Sequence, residues 1–133
     1  RHFECYLDAK REYVAGKSTI IIRNCRNKMG FDFITSILNS KTIAFYIKQA
    51  YSALGIEGGV NFTAPMVASL PLPKVSKKDY DYLIDLVDRI GAITGHKNYF
   101  KDRKRQDVVE ELKSRIDEIV YKLYDITGKN KRL

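Results

Sequence analysis

The segment "NFTAPMVASLPLPKVSKKDY", residues 61–80, changes character at its centre. An apolar half ends in Pro71 and Pro73, and a lysine-rich half follows at once. Proline lacks a backbone donor and biases the preceding residue toward extended geometry, so we expect a rigid extended connection over residues 70–74, which we call the proline strap. Ser76 followed by Asp79 is typical of a capped helix start. The segment therefore divides the chain into residues 1–73 and residues 74–133.

Two amphipathic helices are predicted after the proline strap. The first has apolar residues at three-four spacing and ends near Gly95, and the second keeps this spacing unbroken along one seam. A polar stretch, "HKNYFKDRKRQD", separates them, so we expect an antiparallel helical hairpin. The seam of the second helix consists of Val109, Leu112, Ile116, Ile119, Leu123 and Ile126.

The part before the strap shows a different periodicity. "HFECYL", residues 2–7, alternates apolar and polar side chains, and "STIIIR", residues 18–23, is β-branched, so we predict two strands that pair across residues 8–17. A helix capped by Asp32 is predicted next, with a kink at Asn39 and Ser40, and "GIEGG", residues 55–59, is predicted as a loop. The expected fold class is therefore α+β: a small β-rich part with one packed helix, then the helical hairpin, together one structural domain.

Composition limits the classes of function. The chain has 133 residues, 44% hydrophobic and 30% charged, and no apolar run of bilayer-spanning length, so we expect a soluble domain. Cys5 and Cys25 lack metal-ligand spacing, which is simplest to explain by a reducing cytoplasm. Because the chain begins at Arg1, we expect a piece of a longer protein with an incomplete N-terminal part.

The charge favours an anionic partner, and both parts of the chain contribute to it. The net charge is +8; residues 1–70 hold 9 basic and 5 acidic side chains, and residues 71–133 hold 15 and 11, so each part carries +4. "KNYFKDRKR", residues 97–105, combines five cations with two aromatics and suits either phosphate contacts or plain solubility.

No catalytic constellation is evident in the sequence. His2 and His96 stand alone, and the phosphate-binding, dinucleotide-binding and nucleophile-elbow motifs are absent. Glu111, Lys113 and nearby Asp107 are residue types found in nuclease active sites. Their helical spacing, however, places them on a solvated face. We therefore expect no catalytic residue, no metal site and no cofactor in this chain.

The order of several segments resembles a known family. "ILNSKTIAFYIKQ", the glycine loop with "NFT", "LPLPKVSKKD", "LVDRIGAIT" and "ELKSRIDEIVYKLYDIT" follow one another between residues 20 and 127. In this order they resemble the C-terminal specificity region of TaqI-like adenine-specific DNA methyltransferases and of the fused restriction-modification enzymes called type IIG. A more distant likeness is to the specificity subunits of type I restriction systems.

The resemblance implies a target recognition domain for double-stranded DNA, cytoplasmic and attached to an N-terminal methyltransferase domain of the same chain. The parent enzyme would be an S-adenosylmethionine-dependent adenine-specific DNA methyltransferase, with or without a Mg-dependent restriction endonuclease. The family's N-P-P-aromatic motif and its glycine-rich cofactor site do not occur in these residues. The resemblance therefore implies sequence-specific recognition by this chain, as part of a restriction-modification system, and no catalysis.

Candidate DNA-binding residues follow from side-chain type and predicted loop position. Arg, Lys, Asn, Ser and Thr reach base edges or phosphates, and residues 8–18 and 55–63 offer these types. Near DNA we expect Lys10, Arg11, Lys17, Ser18, Asn61 and Thr63, with Lys41, Lys48, Lys74, Lys77 and Lys78 as phosphate contacts. The alternative function is a helical protein-interaction module, in which the seam of the last helix pairs with another chain.

Overall fold

The computed structural model describes residues 3–23, 29–51 and 62–125, and the regular structure in these ranges is helical. Within these ranges the architecture is five α-helices with one short 3₁₀ turn before the last of them. The helices are α1 (Phe31–Leu38), α2 (Lys41–Tyr51), α3 (Ala64–Ala68), α4 (Lys77–Thr94) and α5 (Arg103–Leu123), and the turn is Tyr99–Lys101. The described part of the chain is all-α.

The predicted α+β class, with a β-rich first part, is wrong, since none of these described ranges contains a strand. The alternation in residues 3–7 is nevertheless visible in burial: Phe3, Cys5 and Leu7 are half-buried while Glu4 and Tyr6 are exposed. A strand needs a hydrogen-bonding neighbour, and β-propensity mainly measures the fit of a side chain to a pleated, packed surface. Here the backbone of the extended segment bonds to a side chain of the helical region instead.

That side chain belongs to Asn39, at the end of α1. Its Oδ1 accepts the backbone N–H of Cys5 at 2.8 Å, and its Nδ2 donates to the carbonyl of Cys5, also at 2.8 Å. One amide therefore satisfies both backbone groups that a neighbouring strand would have satisfied. The other predicted strand stays largely unburied, with Ile21 and Ile22 both exposed.

The break between α1 and α2 falls at Asn39 and Ser40, where we predicted a kink. Ser40 Oγ donates to the carbonyl of Ile37 at 2.7 Å and accepts the N–H of Ile43 at 3.3 Å, so it ends one helix and begins the next. The predicted N-cap at Asp32 is wrong, because α1 begins at Phe31 after Gly30 and Asp32 lies in its first turn.

Helices α4 and α5 pack against each other, and both begin at side-chain caps. Ser76 Oγ accepts the N–H of Asp79 at 3.1 Å, which confirms the predicted helix start, and Gly95 is the C-cap of α4 as predicted. Asp102 caps α5 by accepting the N–H of Arg105 at 3.1 Å. The hydroxyl of Tyr124, just after α5, donates to the carbonyl of Pro71 in the proline strap.

The core lies where α1 and α2 meet the hairpin. Helix α1 packs on α4, and α2 packs on α5. Buried side chains come from both sides of the boundary between residues 73 and 74, including Phe33, Ile37, Ile43, Leu83, Leu86, Leu112 and Val120. Burial of these apolar groups is the main stabilising contribution, at roughly 1.5–3 kcal/mol for each large side chain.

Candidate nucleic-acid interface

The first group of predicted DNA contacts lies on two tight turns of the N-terminal segment. In residues 8–13, which we call the N-terminal loop, the carbonyl of Asp8 accepts the N–H of Arg11 at 3.4 Å. In the second turn the carbonyl of Gly16 accepts the N–H of Thr19 at 3.1 Å. Four predicted contact residues sit on these turns with exposed side chains: Lys10, Arg11, Lys17 and Ser18.

The side chain of Asp8 organises the N-terminal loop. Its carboxylate accepts the backbone N–H of Glu12 at 3.0 Å and that of Tyr13 at 3.1 Å. These bonds hold the pKa of Asp8 below its ordinary value, the N–H of Glu12 contributing most. Arg11 has φ of 56°, in the left-handed region that non-glycine residues rarely adopt, so the bonds to Asp8 offset a local backbone cost.

An exposed aromatic pair borders the same loop. The rings of Tyr6 and Tyr13 meet edge to face with centroids 5.4 Å apart. Both side chains are well exposed, and Val14 beside them is 98% exposed. The N-terminal loop therefore presents two cations next to aromatic and apolar groups, which is the combination that contacts phosphates, sugars and base edges.

Helix α2 carries two predicted phosphate contacts. Lys41, its first residue, has a 73% exposed side chain whose Nζ lies 3.6 Å from Oδ2 of Asp117 in α5. Lys48 is exposed, with no carboxylate of the described residues within 4.0 Å. The two lysines differ in availability, because a phosphate has to compete with Asp117 for Lys41 only.

The remaining predicted lysines lie at the end of the proline strap and the start of α4. Lys74 and Lys78 are exposed and have no carboxylate of the described residues within 4.0 Å. Lys77 Nζ donates to Asp81 at 2.8 Å, and this bond raises the pKa of Lys77. Lys77 therefore already has a counter-charge, which Lys74 and Lys78 lack among the described residues.

The two remaining predicted contacts are the polar residues Thr63 and Asn61. Thr63 is the N-cap of α3, and its Oγ1 accepts the N–H of Met66 at 3.4 Å, so its hydroxyl has a local structural role. Asn61 lies outside the described residues, as do the glycines of residues 55–59.

Contacts of the N-terminal segment bring part of the predicted set together. Cys5 is bonded to Asn39, and the rings of Phe3 and Phe62 have centroids 4.9 Å apart, so the chain before the N-terminal loop lies beside the α1–α2 junction and the start of α3. Tyr80, in the first turn of α4, contacts the opposite end of α1. Its hydroxyl oxygen accepts the N–H of Gly30 at 2.7 Å.

The predicted lysines of α2 and of α4 belong to different parts of the fold. Lys41 follows the C-terminal end of α1, whereas Gly30, just before α1, bonds to Tyr80 near the start of α4. Helix α1 has 8 residues. At a rise of about 1.5 Å per residue it spans about 12 Å.

No metal-binding cluster occurs among the residues that the structure describes. The possible nuclease residues are surface ion pairs: Glu111 pairs with Arg115, Lys113 with Glu110 at 2.9 Å, and Asp107 with Arg103 at 3.2 Å. The described helices include none long and apolar enough to cross a membrane. His2 and Cys25 lie outside the described residues.

Three residues that organise this surface were missed by sequence reasoning: Asp8, Asn39 and Asp117. Asp8 carried a signal, because Asp at the start of a polar stretch commonly accepts backbone N–H groups a few residues on. Asn39 bonds to a residue 34 positions away and Asp117 to one 76 positions away, so no local pattern indicated these contacts, although the helix break at Asn39 was predicted.

Comparison with protein-family models, with curated proteins and with solved structures found no match to this chain. The described residues form a five-helix, all-α domain with a basic surface. The exposed basic residues of this surface are the basis for the function proposed below.

Proposed function

We propose that this chain binds double-stranded DNA in a sequence-specific manner, as the specificity domain of a bacterial restriction-modification enzyme. The chain supplies recognition, and an N-terminal methyltransferase domain of the same polypeptide supplies S-adenosylmethionine-dependent adenine methylation in the cytoplasm. The segments that carry the family resemblance support the proposal through their own contacts. Asp117 of "RIDEIVYKLYDIT" bonds to Lys41 of "ILNSKTIAFYIKQ", and Tyr124 bonds to Pro71 of the proline strap.

One observation carries the proposal: most of the predicted cationic contacts have no counter-charge. In the hairpin, Arg89, Arg103, Arg105, Lys113 and Arg115 lie within 4.0 Å of a carboxylate, whereas Lys97, Lys101 and Lys104 have none that close among the described residues. Among the described residues, no carboxylate lies that close to six predicted contacts: Lys10, Arg11, Lys17, Lys48, Lys74 and Lys78. Cations without counter-charges can neutralise phosphates and release counterions, which dominates the affinity of proteins for DNA.

The outer surface of α4 indicates where DNA does not bind. Asp81, Asp85 and Asp88 recur along it and are exposed, and Asp81 pairs with Lys77 and Asp85 with Arg89. Asp88 has no basic side chain of the described residues within 4.0 Å, so a phosphate beside it would meet repulsion. We therefore expect the DNA contacts on the N-terminal loop, on α2 and at the start of α4, and not along the rest of α4.

The alternative, a helical interaction module, has less support. It needs the seam of α5 to face another chain, but Val109, Leu112 and Ile116 are buried against the chain's own core. Ile126 lies outside the described residues. The seam is therefore occupied over most of its described length.

The experiment is selection of a randomised duplex library by the 133-residue chain at low and moderate salt, with the enriched sequences read out. We expect one short motif to be enriched and affinity to fall steeply with salt. Lys10→Ala with Arg11→Ala should reduce the affinity and lower the salt slope by about 1 per lost phosphate contact. Lys113→Ala with Arg115→Ala is the matched control, because it also removes two exposed cations, but these pair with Glu110 and Glu111 on α5.

Absence of duplex binding by the folded chain, or equal losses from the control and the loop variants, would contradict the proposal. Salt-sensitive binding without an enriched motif would remove the sequence-specific part and leave a basic DNA-binding surface. A mass that increases with concentration and returns to the monomer with Leu123→Lys would favour the interaction module.

A further inference from the structure

The connection between α4 and α5 is a rigid turn that presents one aromatic ring to solvent. We call residues 96–104 the hairpin tip. Phe100, in the 3₁₀ turn Tyr99–Lys101, is 87% exposed. The side-chain amide of Gln106 donates to the carbonyls of Tyr99 and Phe100, both at 3.1 Å, which ties the turn to the first turns of α5.

A second set of bonds holds the other side of the turn. Asp102 Oδ1 accepts the N–H of Arg105, and Asp102 Oδ2 accepts from Nε of the same arginine at 2.8 Å. The N–H bond of Arg105 is the main reason why the pKa of Asp102 lies below its ordinary value. Hydrogen bonds therefore hold the backbone on either side of Phe100, and its ring meets that of Tyr99 edge to face with centroids 5.3 Å apart.

Several basic side chains lie close to Phe100 in the sequence of the hairpin tip. Lys97, Lys101 and Lys104 are exposed, and no carboxylate in the described ranges lies within 4.0 Å of any of them. Arg103 and Arg105 have carboxylate partners of their own. Three lysines without counter-charges thus stand within four positions of an exposed ring.

A partner for this surface needs negative charge and a flat apolar face together. A single nucleic-acid strand has both, since its phosphates suit the lysines and its unpaired bases stack on aromatic rings. In a duplex the base faces are already stacked on one another, so Phe100 would gain little there.

We propose that the hairpin tip binds single-stranded nucleic acid, with a base stacked on Phe100 and phosphates on Lys97, Lys101 and Lys104. This site is separate from the proposed duplex interface. Helix α4, with 18 residues, spans about 27 Å and has the tip at one end and the proline strap at the other. The proposal does not depend on the proposed function.

The absence of tryptophan from the chain allows a direct optical test. Phe100→Trp places one fluorophore at the tip, and the exposure of Phe100 makes the change harmless to folding. Tyr46→Trp is the matched control, because Tyr46 is also exposed, at 38%, but belongs to α2 and not to the hairpin tip. The probes are oligothymidylate, an abasic strand of the same length, and a duplex.

We expect oligothymidylate to quench the emission of the Phe100→Trp variant, with the abasic strand and the duplex giving much weaker quenching. The Tyr46→Trp variant should respond little to either single-stranded probe. Equal quenching by the abasic strand, an equal response of the control, or no response at all would overturn the proposal. A response to protein concentration alone would indicate self-association through the tip and would also overturn it.

A second measurement separates stacking from charge. Phe100→Ser leaves all three lysines in place and should weaken binding of oligothymidylate about tenfold. Phe100→Ser should leave selection of the duplex library unchanged. The duplex library therefore tests the proposed duplex binding, and oligothymidylate tests the proposed single-strand site separately. An unchanged affinity for oligothymidylate would rule out stacking on Phe100.

Discussion

The carboxylate of Asp117 in α5 accepts the backbone N–H of Lys41, the first residue of α2, at 2.9 Å. Asp117 is only 7% exposed, so a buried carboxylate from one helix caps the start of another. The unsatisfied N–H groups and the partial positive charge of a helix N-terminus favour this position for an anion. The bond joins the last helix to the region that carries Lys41 and Asn39.

Asp117→Ala should destabilise the chain by about 1–2 kcal/mol, the range for loss of a helix cap. Asp117→Asn is the matched control, because its amide oxygen can still accept the N–H of Lys41. Chemical denaturation followed by circular dichroism measures both. Equal losses in the two variants would show that charge, rather than the cap, supplies the stabilisation.

The substitution Asn39→Asp should destabilise the N-terminal segment, although Asn39 is exposed. Asn39→Asp keeps the acceptor for the N–H of Cys5 but sets a carboxylate oxygen against the Cys5 carbonyl, where the amide had donated. We expect the N-terminal segment to detach, at a cost of about 1 kcal/mol for the lost bond. Faster hydrogen exchange at the Cys5 amide would report it, and exchange unchanged from that of the unsubstituted chain would contradict it.

Alkaline pH should loosen the contact between α5 and the proline strap. Burial raises the pKa of Tyr124 to about 12, above the ordinary value near 10, so the folded state favours the neutral phenol. The contribution of Tyr124 to stability is therefore complete below about pH 10 and is lost as the pH rises to about 12. Denaturation across this range should show the loss, and Tyr124→Phe should reduce it.

Removal of the negative charge of Asp8 should weaken duplex binding. Electrostatics alone predicts that Asp8→Ala strengthens affinity for an anion, but the carboxylate holds the N-terminal loop through Glu12 and Tyr13. If the loop binds DNA, its loss of order should weaken affinity about three- to tenfold. Asp8→Asn, which keeps an acceptor oxygen, should lose less. Tighter binding by Asp8→Ala would contradict a role for the ordered loop.

Low pH should disorder the N-terminal loop. Because the pKa of Asp8 is lowered in the folded chain, its contribution to loop order is complete above about pH 4 and is lost as the pH falls through the lowered value. Backbone amide shifts of Glu12 and Tyr13 in a pH titration by nuclear magnetic resonance measure this. A midpoint at or above the ordinary value for Asp would contradict it.

Gly30→Ala should affect the start of α1 through Tyr80. A Cβ at this position would lie 2.9 Å from the hydroxyl oxygen of Tyr80, which accepts the N–H of Gly30. We expect a loss of about 1 kcal/mol, because the hydroxyl must move and the bond weakens. In a double-mutant cycle, Tyr80→Phe should remove most of the penalty of Gly30→Ala; additive losses would contradict this explanation.

The helices of the hairpin could be predicted because their signals are local. Ser76 and Asp79 form a cap within one turn, Gly95 ends α4, and the apolar spacing from Val109 to Ile116 matches the buried face of α5. Each of these features depends on residues three or four positions apart, the distance over which helical neighbours meet. The break at Asn39 and Ser40 was predictable for the same reason.

The fold class and the organisation of the candidate interface were decided by tertiary contacts. The period-two pattern of residues 3–7 correctly indicated which side chains are half-buried, but only the structure showed that Asn39 takes the place of a neighbouring strand. Likewise, composition indicated a basic chain, and only the packing showed that Asp117 pairs with Lys41 while Lys10 and Lys48 have no carboxylate partner among the described residues. Local periodicity determines where a segment is apolar, whereas long-range hydrogen bonds and ion pairs determine what that segment packs against and which of its charges stay available.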